Sequence, residues 1–137
     1  MTSSIRWVSF TAPLRFNFKH ASANRSESSS IIVEVRAGPF RGYGEACPRS
    51  YVTGETEESV IAFLNEHGED WINSIKSIDA LRERLQAEEA LIDKNPAAFS
   101  ALEIALIDVL AQEQEMSIEA LLGLPGLNDN IQYSAVV

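Results

Sequence analysis

The chain has 137 residues, 45% of them hydrophobic, which suits one domain with a core. Its formal charge of -9 argues against a surface built for nucleic-acid phosphates. Cys47 is the only cysteine, so no internal disulfide forms and no oxidising compartment is implied. The charge is uneven: residues 1–50 carry seven Lys/Arg and three Glu, and the remainder carries four basic and seventeen acidic residues. Either the acidic part concentrates cations, or its helices simply carry solvated Glu. No stretch approaches the length of a membrane span, and Met1 to Phe10 lacks a signal-peptide pattern. The Asn24-Arg25-Ser26 sequon has no secretory signal to give it meaning, so the expected compartment is the cytoplasm.

In chain order, Ile5 to Phe18 mixes β-branched and aromatic residues and predicts a strand. Pro13 makes it an edge strand or a bulged one. Lys19–Ser30 is rich in Ser and Asn and poor in apolar anchors, and reads as a loop. Ile31 to Arg36 alternates as a half-buried strand does. Ala37-Gly38-Pro39-Phe40 supplies turn residues, and Arg41 to Ala46 reads as a partner strand. Together these give a three-stranded antiparallel meander.

A second loop, Cys47–Glu55, carries Pro48 and Gly54 and leads into helices. Thr56 is the expected N-cap of the first, with Glu57 and Glu58 in its positive first turn and Gly68 closing it. Val60, Phe63, Leu64 and His67 mark its inner spacing. Asp79 starts another helix with Leu81, Leu85 and Ile92 inward. Asn95 to Gln114 is the clearest helix: Asn95 caps, Pro96 takes the first helical position, and apolar residues fall on almost every face. Such a helix is central to its fold or is covered. Ser117 begins a short helix ending near Gly123, Leu124 to Asn130 is a linker, and Ile131 to Val137 is strand-like. Ending on a β-branched pair, the sequence reads as a fragment.

Direct catalytic signals are weak. Gly42-Tyr43-Gly44 lacks the third glycine and the following helix of a phosphate loop. His20, Cys47 and His67 do not have metal-ligand spacing. Cys47 with His20 would make a nucleophile and base, but a lone cysteine at a strand end reads first as a small buried residue. His67 reads as a surface or capping histidine, and the carboxylates fall on helix faces.

An ordered series of segments nevertheless resembles one family. Gly42-Tyr43-Gly44-Glu45-Ala46-Cys47-Pro48 is similar to the run that ends the strand meander in the muconate-lactonizing branch of the enolase superfamily. Tyr51 to Thr56 resembles the loop that follows it, as seen in dipeptide epimerases. Asn95 to Asp108 resembles the alanine-rich helix of that family, and Met116 to Gly123 its short helix ending in Leu-Gly. Ile131 to Val137 falls where the first barrel strand begins.

The resemblance implies an α+β capping domain, with a three-stranded meander followed by a three- to four-helix bundle. The cap would occupy residues 1–123, with strands over about 4–46 and helices over about 56–122. Residues 124–137 would be a linker and the first strand of a missing (β/α) barrel. In the family the barrel supplies lysine bases and three carboxylates that hold Mg²⁺, and that metal stabilises an enolate. A barrel of that kind needs about 250 residues, so this chain is expected to hold neither catalytic residues nor metal ligands and to be inactive alone. Its partners would be its own barrel and a small carboxylate-containing substrate, not nucleic acid or membrane. Oligomerisation is left open.

What the cap contributes, by the same resemblance, is two loops that close over the substrate, Lys19–Ser30 and Cys47–Glu55. Lys19, His20, Arg25 and Arg49 place cations in those two loops, and an arginine fork holds a carboxylate well once water is excluded. The same cations read equally well as solvated charges. Tyr51, Val52 and Thr53 would form the apolar and hydroxyl part of the wall. The implied parent is a Mg²⁺-dependent epimerase, racemase or cycloisomerase, most like a dipeptide epimerase. Muconate cycloisomerase and o-succinylbenzoate synthase share the cap, and a free-standing non-catalytic binding module is the rival from another class.

Overall fold

A computed structural model describes residues 3–20, 23–126 and 132, apart from the side chains of Phe18, His20 and Ala23. Strands β1 (Ser3–His20), β2 (Ala23–Ala37) and β3 (Phe40–Ala46) form one antiparallel sheet in the order β1-β2-β3. Helices α1 (Glu57–Ser74), α2 (Ile78–Ala87), α3 (Glu89–Ile92), α4 (Pro96–Glu113) and α5 (Ile118–Leu122) follow. This is the expected α+β arrangement. The expected strand over Ile131 to Val137 lies outside the described residues, Gln132 aside.

The sheet departs from expectation at the polar segment. Over its described residues Lys19–Ser30 is strand rather than loop: β1 and β2 pair outward as far as His20 and Ala23, with Lys19 opposite Asn24 and Phe18 opposite Arg25. Backbone pairing needs no apolar side chains, and hydroxyls contribute cross-strand contacts, as Thr11 and Ser29 do at 3.1 Å. Pro13 does mark an irregularity. The register runs unbroken to Pro13 opposite Glu27 and shifts before Phe18.

One face of the sheet packs on the helices. Alternation sends Ile31, Val33 and Val35 inward, where all three are buried beside Leu102, Leu106 and Val109 of α4. Contact between β3 and α4 is close enough that only glycine fits. A Cβ on Gly42 would stand 2.0 Å from the Ala105 carbonyl oxygen, and one on Gly44 would stand 1.9 Å from that of Ala101. The alanines of α4 are small for the same reason. With the backbones this near, the Asp108 and Gln112 side chains reach the outer edge of β3. Asp108 accepts from the Tyr43 amide at 3.2 Å, and Gln112 donates to the Arg41 carbonyl at 2.7 Å. Two groups that would otherwise invite another strand are thereby closed.

The first helix starts as expected, with the Thr56 hydroxyl accepting from the Ser59 amide and Ser59 completing a capping box. It does not stop at Gly68. It continues to Ser74, because Gly68 is buried where the helix crosses Ile5 and serves close approach rather than termination. His67 is half-buried, its ring 4.9 Å from that of Phe63. Trp71, fully buried, meets the Phe99 ring edge-on at 5.0 Å and donates to Glu88 at 3.1 Å. The helix expected from Asp79 is capped by Ser77 and breaks at Glu88 into α2 and α3, with Leu81 buried and Leu85 and Ile92 half-buried. Ser117 caps α5, and Gly123 ends it at φ 71° in the left-handed region, as the sequence indicates.

Candidate functional site: a cationic groove between the hairpin and the following loop

Residues 47–55 leave the end of β3 and run alongside the outer part of β2. Between them lies an open groove of about 390 Å³, lined by Asn24, Arg25 and Glu27 on one side and Arg49, Ser50 and Tyr51 on the other. Thus the structure brings Arg25, Arg49 and Tyr51 of the expected site together. It places Lys19 further along the hairpin, exposed, and Val52 and Thr53 on the exposed apex of the loop, outside the groove lining. The side chain of His20 lies outside the described residues.

Both ends of the loop are fastened, and neither fastening is visible in local sequence. At the start, the Arg49 guanidinium donates to the Ser29 carbonyl at 2.9 Å, the Pro48 carbonyl at 2.7 Å and the Ser28 hydroxyl at 3.2 Å. At the far end, the Glu55 carboxylate is buried and accepts from the backbone amides of Ala97 at 2.7 Å and Ala98 at 3.0 Å. A carboxylate on the first amides of a helix satisfies orphan donors and complements the dipole. This corrects the expectation for Asn95, whose side chain makes no cap and donates instead to the Leu91 carbonyl at 2.9 Å. Glu55 is 42 positions from Ala97, so no window of neighbouring residues reveals the pair.

Cys47, expected to be buried, is exposed and sits 3.6 Å from the Glu45 carboxylate. Partial burial pushes its thiol pKa up, Glu45 adds to that, and the nearby Arg49 and Arg25 charges oppose it. A raised thiol pKa is the reverse of what an activated nucleophile needs.

The outer face of the sheet carries a second polar cluster that sequence reasoning missed. Glu34 is buried under its neighbours, accepting from Arg6 at 2.7 and 3.0 Å, from Arg36, and from the Tyr43 hydroxyl at 2.8 Å. Hydrogen bonds from Arg6 and then Arg36 lower its pKa to about 2. Arg6, Glu34 and Tyr43 occupy one row across all three strands, so the cluster ties the sheet together. Among the described residues no group of three His, Cys, Asp or Glu side chains converges to hold a metal ion, and no helix is long and apolar enough to cross a membrane.

Meander, glycine-mediated seam and capped helices define an enolase-superfamily capping domain. The model of the mandelate racemase/muconate lactonizing enzyme N-terminal domain matches residues 3–123, and the chain belongs to that family. It is 34% identical over 114 residues to the L-Lys-D/L-Arg epimerase of Methylococcus capsulatus, covering 81% of this chain and 31% of that protein. It is 32% identical over 99 residues to the L-Ala-D/L-Glu epimerase of Bacteroides thetaiotaomicron, covering 72% and 25%. Among solved structures, the Methylococcus capsulatus dipeptide epimerase complexed with Mg and L-Arg-D-Lys superposes with a TM-score of 0.73 at 30% identity, covering 88% of this chain and 34% of that one. A substrate-liganded L-Ala-D/L-Glu epimerase from Bacillus subtilis gives 0.71 at 27% identity, covering 81% and 31%. The chain thus spans about a third or less of the length of these relatives.

Proposed function

We propose that this chain is the substrate-capping part of a Mg²⁺-dependent dipeptide epimerase, with residues 1–123 as the cap and 124–137 leading into the barrel. The observation that carries the reading is the groove in which two separate cap segments bring Arg25, Arg49 and Tyr51 together. A guanidinium beside an aromatic ring suits a peptide that presents a carboxylate, with Arg49 adding positive charge while its terminal nitrogens hold the loop to β2, and excluded water strengthens such contacts. Lys19, His20, Val52 and Thr53 are further substrate contacts in this reading, made once the two segments close over the substrate. In this reading the barrel supplies the Mg²⁺ and the bases, and this chain contributes binding and enclosure.

The test joins this chain to the remainder of the Methylococcus capsulatus relative, in place of that enzyme's own N-terminal third. With Mg²⁺ and dipeptide in deuterated water, the chimera should wash deuterium into the α-position, and this chain alone should give no exchange above a boiled control. In the chimera, Arg25→Ala should raise KM while exchange persists. Exchange by the chain alone, or complete loss of exchange in a folded Arg25→Ala chimera, would place chemistry in the cap and overturn the proposal.

A further inference from the structure

The loop's attachment to β2 follows from a missing hydrogen-bond donor. Strands β2 and β3 pair with Ile31 opposite Ala46, and each step of two along one strand matches a step of two along the other. Arg41 and Tyr43 turn their backbone groups away from β2, towards Gln112 and Asp108, so the even-numbered residues of β3 bond to β2. Extending that register by one bonded pair puts position 48 opposite Ser29. Position 48 is proline, which has no N–H to give. The Ser29 carbonyl is not left without a donor, because the side chain of the next residue supplies one: Arg49 Nη1 donates to it at 2.9 Å. The same Nη1 donates to the Pro48 carbonyl at 2.7 Å, and Nη2 reaches the Ser28 hydroxyl at 3.2 Å. One guanidinium thus stands in for the ladder bond that Pro48 removes.

The backbone of the same residue organises the loop apex. The Arg49 carbonyl accepts from the Val52 amide at 2.8 Å and the Thr53 amide at 2.9 Å. Side chain and main chain of Arg49 therefore link the outer part of β2 to the turn at Val52 and Thr53. We propose that Arg49 is a strut coupling the outer hairpin to the loop, so that the two walls of the groove order and open as one unit. It sets the groove's width whatever molecule the groove takes, so the coupling stands independently of the proposed epimerase function. Coupling of this kind is reciprocal: a change on either wall is felt on the other.

Amide hydrogen exchange by NMR on the 137-residue chain tests it. Arg49→Met should speed exchange by about tenfold, the effect of losing hydrogen bonds to a charged group, at Val52 and Thr53 and also at Ser28 and Ser30. The amides of Leu102 and Ala105 in α4 should be unaffected. Ser28→Ala alters only the hairpin wall, yet should speed Val52 and Thr53 by about two- to threefold. Adding Pro48→Ala to Arg49→Met returns a backbone donor opposite Ser29, and protection of Ser28 and Ser30 should recover. The proposal is overturned if Arg49→Met affects only one wall, if Ser28→Ala leaves Val52 and Thr53 unchanged, or if the double variant shows no recovery. Should Arg49→Met also lose protection in α4, and so its fold, the Ser28→Ala result decides alone.

Discussion

The seam between β3 and α4 and the groove between β2 and the Cys47–Glu55 loop join neighbouring segments by opposite means. In the seam, Gly42 and Gly44 remove side chains so that two backbones touch, and the Asp108 and Gln112 side chains are near enough to satisfy the strand edge. In the groove the backbones stay apart, and the side chain of Arg49 spans the gap. A contact made by deleting atoms tolerates no addition, because rigid backbone lies on the far side. A contact made by one long side chain can be removed while the core remains. The seam therefore suits a scaffold, and the groove suits a wall that can change while the core is kept.

The largest expected effect lies in the seam. Gly44→Ala forces a Cβ to within 1.9 Å of a helix carbonyl, and it should cost about 3 kcal/mol or more in urea unfolding, up to failure to fold. A loss below about 1 kcal/mol would mean that α4 shifts readily, and the contrast between seam and groove would collapse.

Next comes the buried post at the far end of the loop. Glu55→Ala leaves the Ala97 and Ala98 amides without their acceptor and should cost about 2–3 kcal/mol, the scale for a buried bond to a charged group. Thermal unfolding of the variant beside wild type checks this, and Glu55→Gln should recover part of the loss.

The outer sheet cluster should show itself in pH dependence. Glu34 has a folded pKa of about 2 against an ordinary value of 4.5, so the unfolded chain takes up the proton first as pH falls. Its stabilising contribution is complete above about pH 4.5, declines as pH falls and is gone below about pH 2. Urea midpoints measured from pH 5 to pH 2 should fall less steeply in Glu34→Gln than in wild type. Equal slopes would show that the Arg6 and Arg36 contacts do not hold in solution.

The smallest effect is expected at the loop apex. Gly54 has φ 78° with nothing near the position of an added Cβ, so Gly54→Ala costs only the left-handed backbone preference, about 1 kcal/mol. Chemical denaturation of Gly54→Ala beside Gly44→Ala puts the two kinds of glycine on one scale. A Gly54→Ala loss as large as that of Gly44→Ala would show that the apex is part of the packed scaffold.

Much of the fold was legible in local pattern. Alternation over Ile31 to Arg36, the Thr56 and Ser117 caps, Pro96 at a helix start and the near-continuous apolar surface of α4 each act within a few residues, as the structure reproduces. The errors fall where a distant partner decides. Lys19–Ser30 has loop composition, yet most of it is strand, because pairing between β1 and β2 satisfies backbone groups whatever the side chains. Gly68 has the character of a helix terminator but lies inside α1 beside Ile5. Asn95 has the character of a cap, but Glu55 does the capping. The candidate site was legible only as two cationic segments; that Arg25, Arg49 and Tyr51 share one groove depends on the strand register.

By itself the sequence determined the order of strands and helices, most helix starts, the terminating glycine at Gly123 and, through an ordered run of segments, the family. These rest on interactions between residues a few positions apart, whose energies are set by local backbone geometry. Only the tertiary structure decided that β1 and β2 extend into the outer ribbon, that Glu55 holds the N-terminus of α4, and that Arg49 completes the ladder where Pro48 cannot. Each of those satisfies a backbone donor or acceptor with a group far away in the chain. Which group arrives is settled by how sheet and helices pack, not by the residues on either side.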